Sequence, residues 1–308
     1  MKVLTYFVYF LKNAWFVLLY KLFKIKKKCT RFMHEKNITI NYSDDTLYEM
    51  IMSNKPFAAV RYGAVELSCI NNWQKINFGL KRNYKKSVKY SMKNNAGFFP
   101  PEDKYLKQYG DLMQEAMKNI DILGISGAHM EDYYYKLQCS QAKVIQYFAF
   151  EPINKKWLQA LNHKKVLVIS PFKEEIDNQL KNNKEFIKSL KDIDAQFITY
   201  EAIQSIADET SSYKTWFEAL EKMQKDISQI DFDIALIGAG AYGTPLCSYI
   251  KSLNKQSIQT GGATCLLFGI IGKRWEHRDY VQNEINEHWI RPYKKPKGYE
   301  KVEKGCYW

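Results

Sequence analysis

The chain has 308 residues, more than the roughly 100–200 of a typical single domain, so one large or two small domains fit. Its 46% hydrophobic and 26% charged residues exclude a disordered chain, and 15 Gly with 8 Pro exclude a fibrous one. The formal net charge is +13, but residues 1–36 carry +8 of it and the remaining 272 residues only +5. The body is therefore not a basic nucleic-acid binder, and no nucleic-acid-binding motif occurs in it. Six Cys are scattered without a CxxC, the pattern of reduced thiols in a cytosolic body. No two His lie three to five residues apart, which removes the usual zinc spacing.

Residues 3–23 are almost wholly apolar and aromatic and run into Lys24-Ile25-Lys26-Lys27-Lys28. On a helical wheel, Lys2, Thr5, Lys12, Asn13, Lys21 and Lys24 fall in one half. Leu4, Phe7, Val8, Leu11, Trp15, Leu18, Leu19 and Leu22 fall in the other. Such a helix suits the membrane interface, with the Lys cluster drawn to anionic headgroups. A spanning helix would carry Lys12 near its middle at a cost of roughly 2.5–3.5 kcal/mol. A Lys run where a small-residue cleavage site would be needed argues against a signal peptide. In either membrane reading the Lys-rich flank keeps the body in the cytoplasm, so the expected location is the cytoplasmic face of the inner membrane, or the cytoplasm itself. A core helix of the body is the remaining alternative.

Downstream, a helix over 45–52 capped from 42–45 leads to a buried strand at 57–61 and a helix from Ala64. A basic surface helix over 83–94, a loop at 95–101 and an amphipathic helix over 102–118 follow. Strands are expected at 120–126, 143–148, 166–170, 195–200, 234–237 and 257–260. Helices are expected at 173–190, 212–227 and 245–253, with Trp216, Ala219, Leu220, Met223 and Ile227 inward. Alternating strands and helices imply βαβ units, a mostly parallel sheet and helices on both faces. The division is a helix with basic flank at 1–36 and an α/β body at 37–308, with conceivable lobes at 37–160 and 161–290.

Four segments can carry chemistry. A strand runs into Gly238-x-Gly240-x-x-Gly243 with Tyr242 inside it, and a helix follows; such loops let phosphate approach backbone N–H groups. The dinucleotide fingerprint also expects an acid about 20 residues on, yet no Asp or Glu lies between Asp233 and Glu276. NAD is thereby demoted in favour of a nucleotide or phosphate; a tight turn without ligand is the plain alternative. Gly261-Gly262 follows the next strand and should emerge at the same edge, with Lys273 and Arg274 close behind to bind a diphosphate. Arg61 ends the first strand, Gly63 turns the chain, and Glu66 sits on the first helical turn as a general base, a metal ligand or a helix-end charge. Ser170 and Gln204-Ser205 end two further strands, and loop 95–100 and His129 would flank the site.

RYGxVE at 61–66, NAGFFP at 95–100, VLVISPF at 166–172, IALIGAGAYGTPL at 234–246 and GGATCLLFGIIGKRW at 261–275 occur together in this order. The chain thereby resembles, over about 46–276, the bacterial GT-D-fold-like proteins often found with surface-polysaccharide genes. The resemblance implies a GT-D-like, Rossmann-like fold and a glycosyltransferase that uses a nucleotide sugar, taken as UDP-linked. It also implies an Asp-x-Glu motif after the first strand serving metal and nucleotide. Here that position reads Ala64-Val65-Glu66, so only the Glu is kept and Mn²⁺ or Mg²⁺ loses a ligand.

The expected activity is transfer of a sugar from a nucleotide-sugar donor to a glycan or lipid-linked acceptor at the membrane surface. Gly238, Gly240 and Gly243 would admit the nucleotide, Gly261 and Gly262 would shape the second wall, and Arg61 with Lys273 or Arg274 would neutralise the diphosphate. An NAD(P)-dependent sugar-modifying enzyme and a non-catalytic scaffold of a membrane polysaccharide complex are the alternatives; Ala64 speaks for the scaffold.

Overall fold

The apolar runs of the sequence become strands buried on both faces. The computed structural model describes residues 2–24, 29–209 and 211–308; Ile25–Lys28 of the basic cluster lie outside the described residues. The strands of the central sheet are β1 (Phe57–Arg61), β2 (Ile122–Ile125), β3 (Lys143–Gln146), β4 (Lys165–Ser170), β5 (Gln196–Glu201), β6 (Ile234–Ile237) and β7 (Gln256–Ile258); a separate short antiparallel pair joins Arg31–Phe32 to Glu35–Lys36. They form one seven-stranded sheet in the order β3-β2-β1-β7-β6-β4-β5, with every neighbouring pair parallel. Strands from 37–160 and from 161–290 thus share one sheet, joined where Ala59 of β1 lies opposite Ile258 of β7. Successive side chains point to opposite faces. Val60, Leu123, Ile169 and Ile237 enter one core; Phe57, Ile122, Val168 and Leu236 enter the other. With both faces covered, a strand needs no polar alternation, which is why these segments read as unbroken apolar runs.

The longer helices are α1 (Lys2–Phe23), α2 (Ile40–Met52), α3 (Ala64–Asn77), α4 (Lys86–Ala96), α5 (Asp103–Met117), α6 (Glu131–Gln138), α7 (Lys173–Asn182), α8 (Trp216–Ile227) and α9 (Gly243–Ser252). The expected inward stripe of α8 is buried throughout. Three expectations are corrected. α2 starts at Ile40 because Thr39 caps it, its hydroxyl accepting from Tyr42 N; Asp44 instead accepts from the N–H groups of Lys156 and Trp157. The helix expected over 173–190 ends at Asn182, where Asn183 turns its amide back to Gln179, and a short 3₁₀ turn, Lys184–Phe186, follows. The strand at 143–148 stops at Gln146 and gives way to the 3₁₀ turn Tyr147–Phe150. α6 has no counterpart among the expected elements.

α1 is long and apolar enough to cross a membrane by length and composition. It lies against the body through one narrow stripe. Asn13 is buried, donating to Asp132 Oδ1 at 2.8 Å and accepting from Met130 N at 3.1 Å, while Lys12 pairs with the other Asp132 oxygen at 2.9 Å. Tyr6 is buried edge-on to Phe78 and Tyr133. The opposite, apolar half is bare: Leu4, Leu11 and Trp15 are 70%, 65% and 58% exposed.

Candidate functional site

In a parallel sheet the C-terminal strand ends share one edge, and ligands collect outside it where the chain order reverses. β1, β7, β6 and β4 are consecutive in this sheet, so the loops after them meet. Between them opens a cavity of about 1280 Å³. Arg61, Gly63, Glu66, Gly238, Gly240, Gly261, Gly262 and Arg274, brought from four distant stretches of sequence, all line it, as do Asn95 and Gln204.

The loops are in direct contact. Gly261 adopts φ +61°, a left-handed conformation that suits glycine, and a Cβ there would collide with the Arg61 guanidinium. A Cβ at Gly238 would lie 2.6 Å from the Gly261 carbonyl. Absent side chains at these positions let Arg61 lie across the floor, its guanidinium 4.6 Å from the centre of the Tyr147 ring. Arg61 Nε is buried without a hydrogen-bond partner among the described residues. Among the described residues no carboxylate lies within ion-pair distance of Arg61. A buried cationic donor left unsatisfied is costly, and an anion in the cavity would remove that cost.

Beside Arg61, α3 begins at Ala64 after Gly63, with no side-chain cap on its N-terminal N–H groups. Glu66 folds back over Gly63, so that a Cβ there would strike its carboxylate. Burial pushes the Glu66 carboxyl up, opposed by a bond from its own backbone N–H and by the charge of Arg61, and aided by Glu303. Burial prevails, favouring the protonated carboxyl more than in a free carboxylate.

The opposite wall is built by the C-terminal tail, which sequence reasoning missed. Lys294, Lys295, Glu303, Tyr307 and Trp308 line the cavity. Arg274 N donates to the Cys306 carbonyl at 2.9 Å. The Arg274 guanidinium pairs with Glu303 and donates to the Tyr307 hydroxyl at 3.1 Å and Cys306 Sγ at 3.2 Å. Burial, outweighing Arg274, pushes the Tyr307 phenol up to about 12. Gly262 packs against this wall, where a Cβ would strike the Tyr307 hydroxyl.

Five residues expected at or beside the site lie elsewhere. Tyr242 is buried and stacks on Trp216 at 4.5 Å between ring centres, because the 3₁₀ turn Gly240–Tyr242 rotates it into the core. Gly243 faces inward, where a Cβ would meet the Gln259 side chain. Ser170 is buried, its hydroxyl accepting from Phe172 N at 3.2 Å, and leaves Pro171 and Phe172 to line the cavity. Lys273 is exposed and outside the cavity wall. His129 sits away from the site, its ring edge-on to Phe10 at 5.8 Å.

Among the described residues no group of three His, Cys, Asp or Glu side chains could hold a metal ion. With Ala64 beside it, Glu66 stands without the partner carboxylate of an Asp-x-Glu pair.

A comparison with curated proteins and one with solved structures each returned no match. A comparison with known protein families matched residues 44–266 to the GT-D fold-like domain. That span contains β1 to β7 and the Arg61, Gly238 and Gly261 loops. The chain therefore belongs to the GT-D fold-like domain family, a glycosyltransferase-type fold.

Proposed function

We propose that this protein is a glycosyltransferase that moves a sugar from a nucleotide-sugar donor, UDP-linked in the first instance, to a glycan or lipid-linked acceptor of bacterial surface-polysaccharide synthesis. The carrying observation is the unpartnered Arg61 guanidinium on the cavity floor, between the Gly261 turn and the uncapped start of α3. A diphosphate supplies the missing acceptors: Arg61 would bind it in a fork, and the α3 N-terminus would add N–H groups and a positive dipole end. The 1280 Å³ cavity leaves room for the nucleoside and the sugar beyond the phosphates.

In the transfer, an acceptor hydroxyl oxygen forms a bond to the anomeric carbon as the bond from that carbon to the diphosphate oxygen breaks. The nucleoside diphosphate leaves with the electron pair, and the hydroxyl proton passes to Glu66. Arg61 stabilises the charge growing on the leaving oxygen, the electrostatic task that a fixed, desolvated cation performs well. The bare apolar half of α1 and the Lys-rich stretch at 24–28 would hold the body on the cytoplasmic surface of the inner membrane.

The test is a thermal-shift and hydrolysis panel of UDP-, GDP- and CMP-sugars on the full chain, with and without Mn²⁺. Stabilisation by one nucleotide class and slow hydrolysis of that donor are expected. No nucleotide binding at millimolar concentration would overturn the reading. Ala64 favours one second reading, a scaffold that keeps the fold without turnover; for a scaffold, Glu66→Gln would leave glycan output unchanged.

A further inference from the structure

A second groove, of about 490 Å³, runs beside the donor cavity between α1 and α3. Four of its lining residues, Ala64, Ser68, Asn71 and Lys75, are spaced at i, i+4, i+7 and i+11 and form one face of α3. At 1.5 Å per residue this track is about 16 Å long, the reach of a short oligosaccharide more than of one hexose. Ala64 lines both spaces, so the track and the donor cavity meet at the start of α3, two residues from Glu66.

The far end of the track is cationic. Lys75 and Lys85 both line it, and among the described residues neither pairs with a carboxylate. Lys75 sits 4.7 Å from the centre of the Phe10 ring of α1. Its ammonium is pushed down by burial and by the charges of Lys85 and Lys81, so added negative charge would relieve it. The α1 wall, Phe10, Ala14 and Val17, falls on the wheel between the docked stripe of Tyr6 and Asn13 and the bare stripe of Phe7, Leu11 and Leu18. That bare stripe adjoins the groove wall on the wheel and offers an apolar surface to a chain leaving the lysine end.

We propose that this groove receives the acceptor as a lipid-linked oligosaccharide. Its phosphate lies between Lys75 and Lys85, its glycan runs along Ser68 and Asn71, and its free hydroxyl end lies at Ala64. The inference rests on the donor reading above and names the acceptor for the same reaction. It also fixes α1 as lying flat, since a helix crossing the bilayer could not keep its Asn13 stripe on the body.

The test uses the full chain in detergent with farnesyl diphosphate as probe, and UDP, farnesol and inorganic pyrophosphate in separate arms. Farnesyl diphosphate should bind in the presence of saturating UDP, with farnesol and pyrophosphate each at least about tenfold weaker, since each lacks one half of the recognition. Lys75→Gln with Lys85→Gln should weaken the probe about tenfold, and Ala14→Trp, which fills the groove, should abolish its binding. UDP binding should be unchanged in both variants, which also reports that they fold. Probe binding that persists in the variants, or that UDP displaces, overturns the groove assignment and leaves the donor site standing. Failure of the wild-type chain to bind UDP overturns the donor reading, and this inference with it.

Discussion

The two walls of the donor cavity both carry an arginine, and the two arginines are in opposite states. Arg274, on the C-terminal-tail wall, is satisfied by Glu303, Tyr307 and Cys306. Arg61, on the β1 wall, has a buried Nε with no hydrogen-bond partner among the described residues, and the Tyr147 ring lies against its face. A satisfied cation holds structure together, whereas an unsatisfied one in a cavity is where a ligand's charge is worth most. On the proposed function, ligand binding falls to the β1 wall and closure of the site to the tail wall.

The largest effect expected on this division is in turnover. Glu66→Gln should lower transfer by about 10²–10⁴-fold, the usual contribution of a positioned base, with donor affinity nearly unchanged. The same variant carries a pH signature. Burial raises the Glu66 carboxyl in the fold, so its contribution to stability is present in acid and is lost as pH rises through the raised folded value. Gln mimics the neutral form, so the variant should melt above wild type at pH 8 and approach it at pH 4. Wild-type transfer should rise with pH over the same window, as Glu66 ionises.

Next in size is donor affinity. Arg61→Ala removes a charge-assisted fork worth about 1.5–3 kcal/mol, or about 10–100-fold in nucleotide-sugar binding, read by calorimetry. Gly261→Ala should cost about tenfold through the same side chain. It strains a φ of +61° by roughly 1 kcal/mol and pushes Arg61 off the floor. The smallest effect should be Arg274→Ala. Its ion pair is partly exposed, so after solvent screening the loss is about 1–2 kcal/mol of stability, a drop of a few degrees in Tm, with donor affinity within about threefold of wild type. A larger affinity loss in Arg274→Ala than in Arg61→Ala would reverse the assignment of the walls.

How much of this was legible in the sequence follows the same line. β1 and β6 were placed residue for residue because FAAVR and IALI are apolar runs closed by turn residues. Parallel strands then put Arg61, Gly238 and Gly261 on one edge by topology alone. Tyr242 and Gly243 were misread because a glycine spacing does not say which way a turn rotates its side chains; here the 3₁₀ turn sends Tyr242 onto Trp216. The tail wall was invisible because residues 291–308 have little regular structure beyond the 3₁₀ turn Tyr299–Lys301 and so no hydrophobic period to read. α1 was legible as an amphipathic helix, but wheel geometry could not show that Asn13, on its polar half, is buried and docks it together with Tyr6.

The central claim is that donor phosphate is held by the β1 wall. Titrating UDP into the full-length wild type, Arg61→Ala and Arg274→Ala proteins tests it most directly. Saturable binding is expected for wild type and Arg274→Ala, with affinity about 10–100-fold weaker for Arg61→Ala. Equal affinity in all three proteins would contradict it.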